Sequence, residues 1–401
     1  MNPLRSPLAA LTLLASAPSL LAADWLQFRG PDGTGVSPEP ELPTALSETS
    51  IAWKKSLPGR GISSPIILGN KLFLTASSGP EQDRLHVLCL DASTGEKIWE
   101  RQFWATGRTM THPKIGVATS SPCSDGKRIF AAFSSNDVVA LDLDGNLLWF
   151  RGLTRDYPNA SNSLGMASSL VFTKNTLVFP VENDSESFTI GLNPDDGSNR
   201  WKLDRPKVSN WTTPVLFQNG IALMSNSGVT LVDPDTGKTQ WTFEGGGSSM
   251  SSLTATKGML FVPTKGTTAL KPATSPAEPE TAWQNNQMQS STVSPVILKD
   301  SIYTLNNAGI LKRSKAVDGE KSWQLRTTGP YSASPVAAGD FLYLVNEKGL
   351  VQTVDTTAPE GNVVSSLDLH DTVIGTPSIG HGALYVRSDS TLYRIGPKKT
   401  P

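Results

Sequence analysis

Three basic side chains fall within one short stretch: Arg108, His112 and Lys114, in the run Arg101-Gln102-Phe103-Trp104-Ala105-Thr106-Gly107-Arg108-Thr109-Met110-Thr111-His112-Pro113-Lys114. Such a group could hold an anionic ligand, and its imidazole could move a proton near neutral pH. It reads equally as a solvated structural loop. Trp211 is the second feature. It stands just before Thr212-Thr213-Pro214, where a strand begins, and Met166, Met250 and Tyr331 hold matching places before Ser168-Ser169, Ser251-Ser252 and Ser334-Pro335. Arg60 falls close to the same phase. Side chains at one recurring phase would circle one opening, where a flat indole could stack on a planar ligand. The same side chains could instead plug that opening.

Other chemistry finds little support. Asp142-Leu143-Asp144-Gly145-Asn146 has some look of a calcium loop, but Leu153 stands where an EF-hand needs its glutamate, so a hairpin turn is the better reading. Cys89 and Cys123 lie in or beside apolar runs, as two buried thiols or one disulfide. His86, His370 and His381 have no partner visible in the sequence. There is no Walker loop, no Gly-x-Gly-x-x-Gly after a strand, no Cys-x-x-Cys and no Gly-x-Ser-x-Gly elbow. A triad gathered from distant residues stays open.

The elements that must position these groups announce themselves by repetition. Asp233-Pro234-Asp235-Thr236-Gly237-Lys238-Thr239-Gln240-Trp241 reads as a strand end, a tight turn and a new strand carrying an indole. Asp91–Trp99 is a second clear copy, and weaker ones lead to Trp149, Trp201 and Trp323. Trp53 and Trp283 keep the indole without the turn, and Leu367 stands where an indole would be. About a dozen residues after each, with two longer gaps, comes a small residue, often followed by proline, opening an apolar run: Ser64-Pro65, Ser121-Pro122, Thr213-Pro214, Ser294-Pro295, Ser334-Pro335 and Thr376-Pro377, with Ser169-Leu170 and Ser252-Leu253 as variants. Positions 53, 99, 149, 201, 241, 283, 323 and 367 give eight phases stepping by 40 to 52 residues. That is the period of four-stranded propeller blades.

The spacing therefore predicts an all-β chain, one eight-bladed β-propeller over residues 51–396. Trp53 sits on a lone strand with no blade before it, and three strand-like runs over 378–395 have no tryptophan strand after them. The first strand should complete the last blade, which removes two sheet edges. Residues 24–50 read as an arm lying on the ring and 397–401 as a tail. The connections holding His112 and Arg151–Ser163 are longer than the rest and should share one face.

With 35 basic against 36 acidic residues and a formal charge of -1, nothing favours nucleic acid or an anionic membrane as partner. Residues 1–23 read as a signal peptide, with Arg5 before an apolar stretch and Ala22-Ala23 at the end. A short membrane anchor is the competing reading, though the apolar stretch is brief for a span. An exported, periplasmic or secreted monomer is expected.

The phrase Asp-x-x-Thr-Gly-x-x-x-Trp, as in Asp91–Trp99 and Asp233–Trp241, resembles the tryptophan-docking repeat of quinoprotein-type β-propellers, and the resemblance spans nearly the whole mature chain. It implies that each indole packs on a turn of the neighbouring blade. Some members of that family are dehydrogenases that hold pyrroloquinoline quinone and calcium in the central funnel. Others, such as the outer-membrane β-barrel assembly propeller, hold no cofactor and bind proteins. The dehydrogenases carry two adjacent cysteines, whereas Cys89 and Cys123 are far apart here. The assembly lipoprotein carries a lipidated cysteine, and none stands near Ala23. The implied function is a non-catalytic scaffold that binds a protein partner or a small-molecule ligand on its funnel face. The alternative is an oxidoreductase binding pyrroloquinoline quinone and calcium, with Trp211 stacked on the quinone.

Overall fold

The structure, a computed structural model, describes residues 24–39, 42–160, 164–274 and 276–398. The predicted signal peptide lies outside them. Eight sheets stand around one axis. Blade 1 is typical, with strands Ile66–Leu68, Lys71–Ser78, Arg84–Asp91 and Lys97–Trp104 joined as antiparallel neighbours. Blades 2 to 7 repeat this order and are numbered along the chain. First strands of adjacent blades touch one another around the axis, and the tryptophan strands form the rim. The only helical pieces among the described residues are the single turns Glu48–Ser50 and Leu153–Arg155.

Blade 8 is assembled from both ends of the chain. Ser378–Gly380, Ala383–Arg387 and Thr391–Ile395 supply three strands, and Ile51–Ser56 supplies the fourth, with Trp53 opposite Arg394 and Lys54 opposite Tyr393. The expected closure is observed.

The ring is held by indoles seated on glycines. Gly95, Gly145, Gly197, Gly237, Gly319 and Gly361 all have positive φ. A Cβ at any of them would strike the tryptophan of the preceding blade: Trp53, Trp99, Trp149, Trp201, Trp283 and Trp323 in turn. Glycine is needed twice over, for the left-handed turn and for the approach of a flat ring. Several indoles also donate to that turn, as Trp149 Nε1 does to the Pro194 carbonyl at 2.9 Å and Trp201 Nε1 to that of Pro234 at 2.9 Å. Each docked indole removes ~200 Å² of apolar surface, contributing about 3–5 kcal/mol.

Two junctions depart from the rule, each for a visible reason. The turn of blade 5, Lys271 to Glu280, contains no glycine, so Trp241 has no seat of this kind. Blade 7 faces blade 8, whose third and fourth strands meet at the chain ends and form no turn at all. No seat for an indole exists there, and Leu367 fills the position, packed with Leu42 and Leu46 from the arm.

The arm crosses the lower face of the ring. Trp25 exchanges main-chain hydrogen bonds with Ile67 of blade 1, and Leu26 accepts from Ser124 of blade 2. Arg29, 1% exposed, then reaches the far side, donating to the Leu253 carbonyl at 3.1 Å, to Thr254 Oγ1 at 2.9 Å and to the Pro295 carbonyl. Val36–Ser37 pairs in parallel with the first strand of blade 7. The arm thus ties blades 1 and 2 to blades 5, 6 and 7.

The glycine seats can be tested against a control. Gly237 (φ 69°) and Gly126 (φ 86°) both hold left-handed backbone, but only Gly237 has an indole within 3 Å of its virtual Cβ. Gly126→Ala should cost about 1–2 kcal/mol of backbone strain. Gly237→Ala should cost about 1–3 kcal/mol beyond that, from overpacking against Trp201. Urea midpoints measure both, and equal shifts would show that the indole contact adds nothing.

Candidate functional site

Proline opening an inner strand has no N–H to give the ladder. The residue before it turns its own main-chain N–H sideways, toward the next blade. From Ser64 through Ser334, the residue at this position, which in Ser169 and Ser252 precedes leucine instead, donates its main-chain N–H to the hydroxyl of its counterpart in the following blade, ending at Thr376, over 2.9–3.1 Å. The seam is closed by Ser64 Oγ donating to the Thr376 carbonyl at 2.7 Å. The result is a girdle of eight hydroxyls, one per blade, all facing the axis. Seven of the oxygens accept a main-chain N–H and Ser64 Oγ donates to a carbonyl, and none is hydrogen-bonded to an imidazole or carboxylate among the described residues. The girdle is therefore a neutral, polar wall without an activated nucleophile.

The girdle surrounds a cavity of about 370 Å³. Phe28, carried by the arm across the lower face, is part of its lining. The mouth is lined by Ile115, Leu164, Trp211, Met250, Ile374 and the polar groups His112, Lys114 and Glu347. Leu164 and Met250 are 44% and 48% exposed. This is a funnel with an apolar rim.

The two long connections meet at that rim, where His112 N donates to the Leu164 carbonyl at 3.0 Å. Lys114 continues across the opening to blade 7, with Nζ 2.8 Å from Glu347 Oε2. Arg60 supports the crossing from below, donating to the Pro113 carbonyl at 3.0 Å and pairing with Asp389 at 2.8 Å. Residues 112–114 form a strap over blades 1 and 8. Partial burial pushes the Glu347 carboxyl up, but hydrogen bonds from Lys114 and Ser332 outweigh it and hold the pKa below the ordinary glutamate range.

The residues singled out in the sequence scatter across this site. Trp211 and Met250 line the mouth, and Trp211 Nε1 donates to the Gly165 carbonyl at 2.8 Å, fixing the ring. His112 and Lys114 line it too, and His112 Nδ1 accepts the Lys114 main-chain N–H at 3.1 Å. Arg60, Met166 and Tyr331 do not line it. Met166 is 1% exposed behind the wall, and Tyr331 is fully buried, its hydroxyl 3.1 Å from both Thr327 Oγ1 and Gln352 Oε1. The segments before the inner strands are irregular, so a shared phase fixes depth along the axis and not the direction of the side chain. Arg108 is exposed away from the cavity, beside Met110 Sδ at 3.1 Å. Sequence reasoning missed the girdle, Phe28 and Glu347. The girdle's signal was the small hydroxyl residue that opens each inner strand, already noted for its spacing.

The thiols take no part. Cys89 and Cys123 are free and buried, and burial pushes the Cys89 thiol up to about 12. No group of three or more His, Cys, Asp or Glu able to hold a metal occurs among the described residues, and no helix there is long and apolar enough to cross a membrane.

The sequence profile of outer membrane protein assembly factor BamB matches residues 44–186 and 185–399. Among solved structures, BamB from Moraxella catarrhalis aligns with a TM-score of 0.62 at 14% identity, covering 87% of this chain and 99% of that one. Quinohemoprotein alcohol dehydrogenase from Comamonas testosteroni aligns with a TM-score of 0.68 at 12% identity, covering 94% and 81%. Polyvinylalcohol dehydrogenase from Sphingopyxis sp. (strain 113P3) is 27% identical over 152 residues, 37% of this chain and 21% of that protein, so the match spans about a fifth of that relative's length. At these identities the solved structures establish the fold alone.

The strap yields a pH test. Because the folded pKa of Glu347 is lowered, its tie to Lys114 is complete above the ordinary glutamate value of ~4.3 and is lost as pH falls through the folded value. Hydrogen exchange of amides 108–115, corrected for intrinsic rates, should rise roughly threefold or more in Lys114→Ala at neutral pH. In the unaltered protein the same rise should come only once the pH falls below the ordinary glutamate range. Unchanged exchange in Lys114→Ala would show that the pair does not hold the strap.

Proposed function

The chain belongs to the family of outer membrane protein assembly factor BamB, and on that footing we propose that it is an exported scaffold whose funnel face captures a protein partner without acting on it. Export follows from the reading of residues 1–23. The observation that carries the reading is the mouth itself. Leu164, Met250 and Trp211 gather exposed or half-exposed apolar surface at one opening, above a girdle that holds no activated group. Exposed apolar surface rimmed by polar residues marks an interaction site, and an unbranched Met can repack against different partner shapes.

A quinone-dependent oxidoreductase is the second reading. It draws on the Trp211 ring in the funnel and on the fold shared with quinohemoprotein alcohol dehydrogenase. The donor set fits it poorly. Calcium takes six to eight oxygens, usually with several carboxylates. Glu347 is the one carboxylate among the described lining residues, and it is already engaged by Lys114 and Ser332. The two cysteines lie in different blades.

Two experiments separate the readings. A photo-crosslinking residue placed at Met250 in producing cells should give discrete protein adducts, lost in Trp211→Ala and absent when the probe sits at exposed Val317. Adducts of equal yield at both positions would remove the funnel face as the contact surface. Titrating pure protein with pyrroloquinoline quinone and calcium should give no saturable change in quinone absorbance. Saturable binding with dye reduction by an alcohol would overturn the scaffold reading in favour of the oxidoreductase.

A further inference from the structure

A hydroxyl, an imidazole and a carboxylate line up on blade 1, outside the funnel cavity. Ser78 ends the second strand, His86 lies in the third and Glu100 in the fourth. The register sets Ala76, His86 and Gln102 side by side, with Ser78, Arg84 and Trp104 forming the next row on the same face of the sheet. Ser78 Oγ lies 2.7 Å from His86 Nε2, and His86 Nδ1 lies 2.7 Å from Glu100 Oε1. We propose that Ser78, His86 and Glu100 form a nucleophilic site that hydrolyses esters, an activity separate from capture at the funnel.

The proton order follows from the partners. Glu100 is partly buried, which pushes its carboxyl up, but hydrogen bonds from Lys97 and His86 outweigh this and hold it below the ordinary range. As a carboxylate it can only accept, so the imidazole carries its proton on Nδ1 and offers the Nε2 lone pair to Ser78. Gln102 Nε2 also stands 3.3 Å from Nδ1 but, being a donor itself, makes no hydrogen bond to the protonated nitrogen, which leaves Glu100 as its acceptor. His86 is 2% exposed, whereas Ser78 is half-buried at the end of its strand, so the base is shielded and the nucleophile reachable.

Two neighbours complete the site. Gly79, at φ 87°, follows the serine, and its main-chain N–H has no acceptor among the described residues. It can donate to an oxyanion formed at Ser78. Trp104 is 64% exposed in the same row, with the Arg84 guanidinium 5.4 Å from its ring centre, and offers an apolar shelf to the acyl or alcohol group. With one oxyanion donor in place, the alcohol must leave readily, which points to aryl esters rather than amides.

The step balances with water as co-reactant. Ser78 Oγ attacks the ester carbonyl carbon while His86 Nε2 takes the hydroxyl proton. The tetrahedral oxyanion collapses, the bond to the ester oxygen breaks, and the alcohol leaves with that proton. Water then attacks the acyl-serine, its proton passes to His86 and on to Ser78 Oγ, and the carboxylic acid is released.

The full chain should react with a fluorophosphonate probe at Ser78, mapped by peptide mass spectrometry, and should hydrolyse p-nitrophenyl butyrate. Ser78→Ala should abolish both while leaving the Met250 crosslinks in place. Glu100 acts through His86 as a positioning residue. Glu100→Gln should slow labelling by about tenfold or more and move its pH profile to lower pH, because removing the anion destabilises the imidazolium. A merely structural glutamate would leave the profile where it is. Circular dichroism confirms that each variant is folded. No Ser78 adduct on the folded chain, or labelling in Glu100→Gln with unchanged rate and profile, would overturn the assignment.

Discussion

The contact on which the structure depends is an indole face laid on a left-handed glycine of the next blade. It links neighbours only, so the ring is a chain of similar joints, each of ordinary strength. A linear array of such joints would leave two sheets with exposed edges. Splitting blade 8 between the two chain ends converts the array into a closed ring and makes opening it a matter of peeling Ile51–Ser56 from Thr391–Ile395. The same choice removes one turn and hence one seat. Leu367 is the consequence, and the arm residues Leu42 and Leu46 supply the apolar cover that an indole would otherwise have given.

Fixed blade spacing has a second effect at the axis. The hydroxyl girdle needs every inner strand at the same height and the same distance from its neighbour, because each hydrogen bond in it bridges two blades. Rim indoles set the angle between blades, and the girdle registers their depth. Phe28 is held against the cavity because the arm that carries it is pinned at both sides of the ring, by Trp25 and by Arg29.

Much of this was legible in the sequence, and the remainder was not for identifiable reasons. The blade count and the closure could be read because a glycine turn followed by tryptophan is a local phrase, and its period survives where single copies decay. The lining of the mouth was only half legible. Trp211 and Met250 face the axis, whereas Met166 and Tyr331, at the same phase, turn into the wall. Irregular backbone has no two-residue alternation from which to read direction. Ser78, His86 and Glu100 were illegible because their meeting depends on strand register alone, and intervals of eight and fourteen residues match no motif. His86 looked partnerless in the sequence and has two partners in the fold.

The lower hairpins of six blades are committed to receiving indoles. Asp91, Asp142 and Asp233 brace those turns by accepting main-chain N–H groups, as in Asp91 Oδ1 with Ser93 and Thr94 at 2.8 Å. A change there loosens a joint of the ring. The upper connections carry no such load, since they run from one blade to the next after both have been fixed. They can lengthen, cross the mouth and hold exposed Met and Leu side chains at little cost to the fold. The strap from His112 to Lys114 and the apolar rim at Leu164 both lie in these connections. Distinct activities on one ring framework would therefore differ chiefly on this upper face, and a binding reading should be argued from its loops, not from the repeat that builds the wheel.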